Sequence, residues 1–311
     1  MSKSKRKPRT PSSYRAPVSA SEPVKRGFFD TLMAPRTGPP APMPSIRSSI
    51  ARGFVTVIST PAIVAWVAGV AFVQWVVLVS LGFQGPFTYM AAAMSWPGPG
   101  TYLDGQLAAV AFGSTRGSLF SVFIFLIVRG VVLAVLTTMS VETLRTGGVS
   151  AWSVRRTLHV LPAAITANMV GLGLLLVAGV GGQFLGQLGL GFLVFVAGLV
   201  AAVWLTASAP AIAADEDRGL AGTMQRAYRI ARVPGSGGLT IAALYAIPSF
   251  AVTSVYAFGG DIGVNPTPAR WAVTIGLNLI HATAAVMFAY RYLASAPFID
   301  EAPKATRRPR R

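Results

Sequence analysis

The chain has no cysteine, two histidines and ten Asp and Glu residues in 311. Without cysteine there can be no disulfide and no thiolate chemistry. Two histidines and so few carboxylates leave too little for a catalytic zinc cluster. Nucleophile-elbow, Walker-loop and paired-carboxylate patterns are also missing. Gly98-Pro99-Gly100 and Gly235-Ser236-Gly237-Gly238 lack the surrounding pattern of a phosphate cradle. The sequence therefore predicts a protein that is not an enzyme and needs no metal and no cofactor.

Charge is scarce as well. Only 12% of residues are charged, against about 25% in ordinary soluble domains. The deficit falls between Pro61 and Tyr292, where long runs lack Asp, Glu and Lys. Hydrophobic residues make up 53% of the chain. Apolar runs of roughly 20 residues match a hydrocarbon core of about 30 Å. Six such runs are placed at 62–83, 118–138, 160–180, 184–206, 239–258 and 271–292, with a Gly181-Gly182-Gln183 turn between the third and fourth. The expectation is an all-α integral membrane protein. It is a bundle of about six transmembrane helices, with short cytoplasmic amphipathic helices and a disordered basic N-terminal arm.

The arm covers 1–50, the transmembrane domain 51–293 and a basic tail 294–311. Pro39, Pro40, Pro42 and Pro44 close an arm that Lys3, Lys5, Arg6, Lys7 and Arg9 open. Such a segment buries too little apolar surface to offset its ordering entropy, although residues 27–33 could form a short interfacial helix. No apolar h-region follows the early basic residues, so the arm does not read as a signal peptide. The loop at 84–117 carries mainly apolar stretches around Trp96-Pro97-Gly98 and is expected to lie in the outer interface.

Net charge is +17, which would suit nucleic acid. The arrangement argues against that partner, because the basic residues flank the apolar runs and no basic patch is interleaved with aromatics outside the tails. Eleven Lys and Arg precede the first run, and Arg116 alone follows it. Arg145, Arg155 and Arg156 occupy the second loop, the third loop has none, and Arg218, Arg226, Arg229 and Arg232 occupy the fourth. Arg270 stands in the fifth, and five basic residues close the chain. This alternation is the positive-inside pattern. It places both termini in the cytoplasm, at the plasma (inner) membrane.

The runs at 118–138 and 184–206 each lead into a basic segment, Ser153-Val154-Arg155-Arg156-Thr157 and Met224-Gln225-Arg226-Ala227-Tyr228-Arg229. That is a faint internal repeat of the kind that relates two halves about the membrane normal. Ala209-Pro210-Ala211-Ile212, Glu216-Asp217-Arg218-Gly219-Leu220 and Gln225-Arg226-Ala227-Tyr228-Arg229 resemble a group of bacterial membrane proteins. That group includes the multi-helix membrane domain attached to some glycerophosphodiester phosphodiesterases and its free-standing relatives. The resemblance covers about 60 residues, with the six-span layout matching loosely. The general layout also looks like multi-pass proteins of actinobacteria. It implies a membrane role without catalysis, and no phosphodiesterase domain follows here.

Arg129 lies deep in the second run, among Phe125, Leu126, Val132 and Leu133. A cation at that depth costs from about 3 to over 10 kcal/mol and marks either function or a special packing duty. No run has a central Asp or Glu to pair with it. Thr274, Asn278 and His281 share one face of the last run. Gln74 and Asn168 are read as interhelical hydrogen-bonding groups, and Pro248 as a break that frees the Leu244 carbonyl. Arg129, His281, Asn278, Gln74 and Pro248 thus form a candidate polar layer at the bilayer centre, for an anion or a lipid phosphate. Arg155, Arg156, Arg226, Arg229 and Arg232 are candidate membrane-surface groups toward anionic phospholipids. The glycines between 171 and 198, with Gly182 and Gly186 spaced as a small-xxx-small pair, predict close helix packing within the chain. The same motif also allows a homodimer, and a protein partner is kept open. The functional expectation is a lipid-associated or membrane-organising protein. The alternative is a transporter or permease subunit with its site around Arg129.

Overall fold

The computed structural model describes residues 43–80, 115–186, 190–233, 237–258 and 267–300. Among these residues every regular element is a helix. In chain order they are α1 (Ile46–Ser59), α2 (Pro61–Ser80), α3 (Thr115–Thr146), α4 (Ala151–Gly186), α5 (Gly191–Thr206), α6 (Ala209–Asp215), α7 (Leu220–Ala231), α8 (Gly238–Phe258) and α9 (Thr267–Asp300).

Among the described residues, four stretches are long and apolar enough to cross a membrane: Ile127–Thr146, Ala151–Gly186, Gly191–Asp215 and Arg270–Pro297. A fifth arises if α1 and the first part of α2 count as one span, bent by 82°. The bend has a local cause. Pro61 opens α2 and drives the residue before it out of the α region. Thr60 accordingly sits at φ −112°, ψ 94° and ends α1. At the other end of α1, the Ser45 hydroxyl accepts from the Ser48 N–H at 3.1 Å, an ordinary N-cap.

Several expected boundaries move. The arm assigned to 1–50 ends sooner, because residues 46–50 are already helical and Pro44 is docked: its carbonyl accepts from Arg291 Nη1 at 2.9 Å. The tail assigned from 294 begins later, since α9 runs to Asp300. The Gly181–Gln183 turn is absent, and α4 continues through it to Gly186. Glycine weakens a helix by about 1 kcal/mol but does not end one whose face is buried. Pro248 does not interrupt α8 either. The short helix expected at 27–33 and most of the 84–117 loop lie outside the described residues. The two basic segments of the faint repeat are not equivalent, since one opens the 36-residue α4 and the other sits in the separate 12-residue α7.

α9 is the central packing element. Ala282, Ala284, Ala285, Val286 and Ala289 are buried along it, and it touches α1, α2, α3, α6 and α7. Small residues let the helices come close. A Cβ on Gly53 of α1 would stand 2.7 Å from the Thr283 carbonyl of α9, and one on Gly182 would stand 2.8 Å from the Gly191 carbonyl. α4 and α5 therefore form a tight antiparallel hairpin. Outward-facing Val177, Phe184, Phe192 and Leu193 cover its far side with apolar surface.

Candidate functional site

Among the described residues, buried polar side chains gather in the interior of the bundle and at the end where α6 meets α7. The interior region gathers most of the residues expected at the bilayer centre. Arg129 of α3 is 4% exposed and His281 of α9 is also 4% exposed. The Arg129 charge acts on the His281 ring. His281 Nδ1 shares a 2.6 Å hydrogen bond with the Tyr245 hydroxyl of α8, and the two rings meet edge to face. One α-turn away, the fully buried Asn278 donates from Nδ2 to the Val67 carbonyl of α2 at 3.3 Å. Thr274 is buried on the same face. Side chains of α3 and α9 and the Val67 backbone of α2 thus meet here as a packed layer, with Tyr245 of α8 closing it.

The other members of the expected layer behave differently. Gln74 is half-buried, and its Oε1 has no hydrogen-bond partner. Pro248 is exposed on α8, pointing away from the layer. A proline ring on an outward face needs only its own side to be free, so the helix absorbs it. Tyr245 was not singled out from sequence; its spacing three residues before Pro248 was the available signal.

Asn168 overturns the expected interhelical hydrogen bond. It is fully buried, and neither amide atom has a partner. A buried orphaned amide costs about 1–3 kcal/mol. Asn168→Leu should therefore raise the unfolding free energy by about 1–3 kcal/mol, helped by better helix propensity. Denaturant titration in detergent checks this. A clear loss of stability would mean that water or a ligand satisfies the amide.

The end region is a charge network that the apolar pattern concealed. α5 stops at Thr206, the chain kinks at Ala207–Ser208, and α6 restarts with Pro210 in its first turn, a position where the missing N–H costs nothing. α6 delivers Asp215, Glu216 and Asp217 to one point. Asp215 pairs with Arg145 of α3. Glu216 pairs with Arg226 of α7 at 2.6 Å and with Arg218. The Tyr292 hydroxyl of α9 donates to Asp215 Oδ2 at 2.7 Å and Glu216 Oε1 at 2.8 Å. Arg156 of α4 donates from Nε to the Ala214 carbonyl at 3.0 Å, from Nη2 to the Ala213 carbonyl at 3.1 Å, and from Nη1 to Asp217. These are the terminal carbonyls of α6, which have no intrahelical donors. The Arg156 hydrogen bond and charge, with His159 adding to them, hold the Asp217 carboxyl below its usual range. A few residues away, Glu142 accepts from the Ser150 N–H and the Ser150 and Ser153 hydroxyls, which caps the start of α4.

The five arginines expected at the membrane surface therefore divide. Arg156 and Arg226 are structural, locked into carboxylates and carbonyls. Arg155 and Arg229 are exposed. Arg232 is exposed as well, with its guanidinium over the Tyr228 ring and donating to that hydroxyl at 2.9 Å. α7 is amphipathic as expected, but its buried face (Thr223, Arg226, Ala227 and Ile230) packs on the protein. The signal for the network was present: three of the ten carboxylates stand in a row at 215–217.

Among the described residues, no group of three or more His, Asp or Glu residues could hold a metal ion. No family model, curated protein or solved structure matches this chain.

Proposed function

We propose that this chain is a non-enzymatic, multi-pass protein of the plasma (inner) membrane that associates with anionic lipid through one end of its bundle. That end faces the cytoplasm, and both termini lie there. The observation that carries the reading is the division of the arginines. α7 turns its apolar face and Arg226 onto the bundle and leaves Tyr228, Arg229 and Arg232 outside. The first turns of α4 leave Trp152, Val154, Arg155 and Leu158 outside at the same end, where Arg156 and Arg226 both reach the 215–217 turn. Apolar, aromatic and basic side chains exposed together suit a headgroup boundary. Each basic residue at an anionic leaflet contributes about 1 kcal/mol.

The burial of Arg129 and His281, each 4% exposed, against the exposed basic and aromatic side chains at the α7 end, supports this reading over a permease subunit with its site around Arg129. The segment that carries the resemblance to the phosphodiesterase-attached membrane domains is the one that builds the end network. Relationship to that group is proposed on those residues alone.

Retention of phosphatidylglycerol against phosphatidylcholine, read by native mass spectrometry after exchange in mild detergent, tests the proposal. The triple variant R155Q/R229Q/R232Q should lose most of the preference, on the order of 100-fold for three such contacts. R129Q, altered in the interior, should keep it. An unchanged triple variant would remove the surface reading.

A further inference from the structure

Arg291 of α9 is a second buried cation, and its partners are neutral. It is 6% exposed, and Nη1 donates to the Pro44 carbonyl and the Ser49 hydroxyl, both at 2.9 Å. Among the described residues it forms no ion pair. Its Nη2 lies 3.6 Å from the point where a Cβ on Gly237 would stand. Gly237, at φ +60°, precedes α8, and the Ile241 N–H bonds back to its carbonyl. α8 therefore starts beside the Arg291 guanidinium, which puts the positive end of its dipole there. Two positive features this close are unfavourable together unless an anion joins them.

Between them is a cavity of about 40 Å³, lined by Arg291, Ser208, Ser295, Gly238, Trp204 and Tyr292 among others. Most of its polar side chains are committed elsewhere. The Trp204 indole donates to the Ala231 carbonyl at 2.8 Å, the Ser295 hydroxyl to the Arg291 carbonyl at 2.7 Å, and Tyr292 to Asp215 and Glu216. Those two carboxylates are themselves paired with Arg145, Arg218 and Arg226. Ser208 is different. It is 7% exposed, and its hydroxyl has no hydrogen-bond partner. A water needs about 10–15 Å³ of such space, so the cavity admits about three oxygen-sized groups. A wider groove of about 350 Å³ shares Trp204, Ala231 and Gly238 with it and adds Arg232, giving a way in.

We propose that the cavity formed by Arg291, Ser208 and the N-terminus of α8 binds a phosphate-type oxyanion. The source is a membrane-lipid headgroup or free phosphate. The inference rests on the lipid-associated reading and adds the place where the phosphate sits. The depth suits a headgroup. Ten residues of α9 separate Arg291 from His281, or about 15 Å, which is half of a hydrocarbon core of about 30 Å.

The test uses the full chain in mild detergent, with the thermal midpoint followed against added phosphatidic acid, diacylglycerol or inorganic phosphate. Phosphatidic acid should raise the midpoint and diacylglycerol should not. S208A should weaken phosphatidic acid binding on the order of tenfold, and R291Q should abolish it. A Ser208-dependent shift with inorganic phosphate assigns the site to the free ion, whereas a shift with phosphatidic acid alone assigns it to lipid. Because Arg291 also anchors Pro44 and Ser49, S208A is the deciding variant. A hydroxyl without a ligand could be removed with no change in the ligand response. Undiminished binding by S208A, or no ligand shift in the wild type, overturns the proposal. The surface reading is scored separately, by the R155Q/R229Q/R232Q variant, in which Ser208 and Arg291 are intact.

Discussion

Arg156→Met should lower the stability of the folded chain by about 2–4 kcal/mol, and Arg156→Lys should recover only a minor part of it. The size follows from what is left behind. The Ala213 and Ala214 carbonyls, both in buried residues, lose their donors. Each orphaned buried acceptor costs about 1–3 kcal/mol. The Asp217 pairing adds little, since Asp217 is largely exposed and its attraction is screened. Lysine carries one ammonium where arginine carries a planar fork, so it cannot serve two carbonyls and a carboxylate at once. The pH dependence has a definite sign. Asp217 has its folded pKa held below the ordinary value for an aspartate by the hydrogen bond and charge of Arg156. Its contribution is therefore complete above that value and is lost as pH falls through the lower folded one. Acidification below about 4 should thus erode the wild type slightly more than Arg156→Met. Denaturant titration in matched detergent at several pH values checks both statements. Full rescue by lysine would show that charge alone, not the carbonyl cap, holds the turn.

The sequence made the apolar helices legible because their signal is local. A run of about 20 apolar residues means the same wherever it packs; the runs at 118–138, 239–258 and 271–292 fall within α3, α8 and α9, whereas the run at 184–206 begins in the last residues of α4 and ends with α5. It did not reveal α1. Ser45 to Ser59 is half polar and lies behind a proline-rich arm, and its helix depends on a cap at Ser45 and on Arg291, more than 240 residues away. The interior layer was legible as residue types, because Arg129, Asn278 and His281 are conspicuous among Leu and Val. Its partners were not: Tyr245 and the Val67 carbonyl enter through tertiary packing alone. The arginines show the same limit most sharply. Arg155 and Arg156 are adjacent and identical, yet helix phase sends one outward and the other onto the end of α6.

Glycines in α4 and α5 should divide just as sharply, and Gly191→Val should be among the most damaging single changes in the bundle. A Cβ at Gly191 would overlap the Gly182 carbonyl oxygen and stand 3.1 Å from Gly186 Cα. Both obstacles are backbone, so no rotamer change relieves them. The helices must separate, and the hairpin loses contact along the face that also holds Gly198 against Ala178. Overpacking a core typically costs about 1–3 kcal/mol and more where nothing can yield. We expect at least about 3 kcal/mol here, a large part of a typical total of about 5–15. Gly173 and Gly179 sit on the same helix with nothing within 4 Å of an added Cβ. Gly173→Ala and Gly179→Ala should therefore stabilise by up to about 1 kcal/mol through helix propensity alone. Unfolding titrations of the three variants, with size-exclusion profiles, provide the check. The profiles also address the homodimer that a small-xxx-small pair allows. Gly182 is already occupied by Gly191 of the same chain, so Gly191→Val should unfold the hairpin instead of dissociating a dimer. A stable Gly191→Val monomer derived from a wild-type dimer would show that the glycine face serves a second chain.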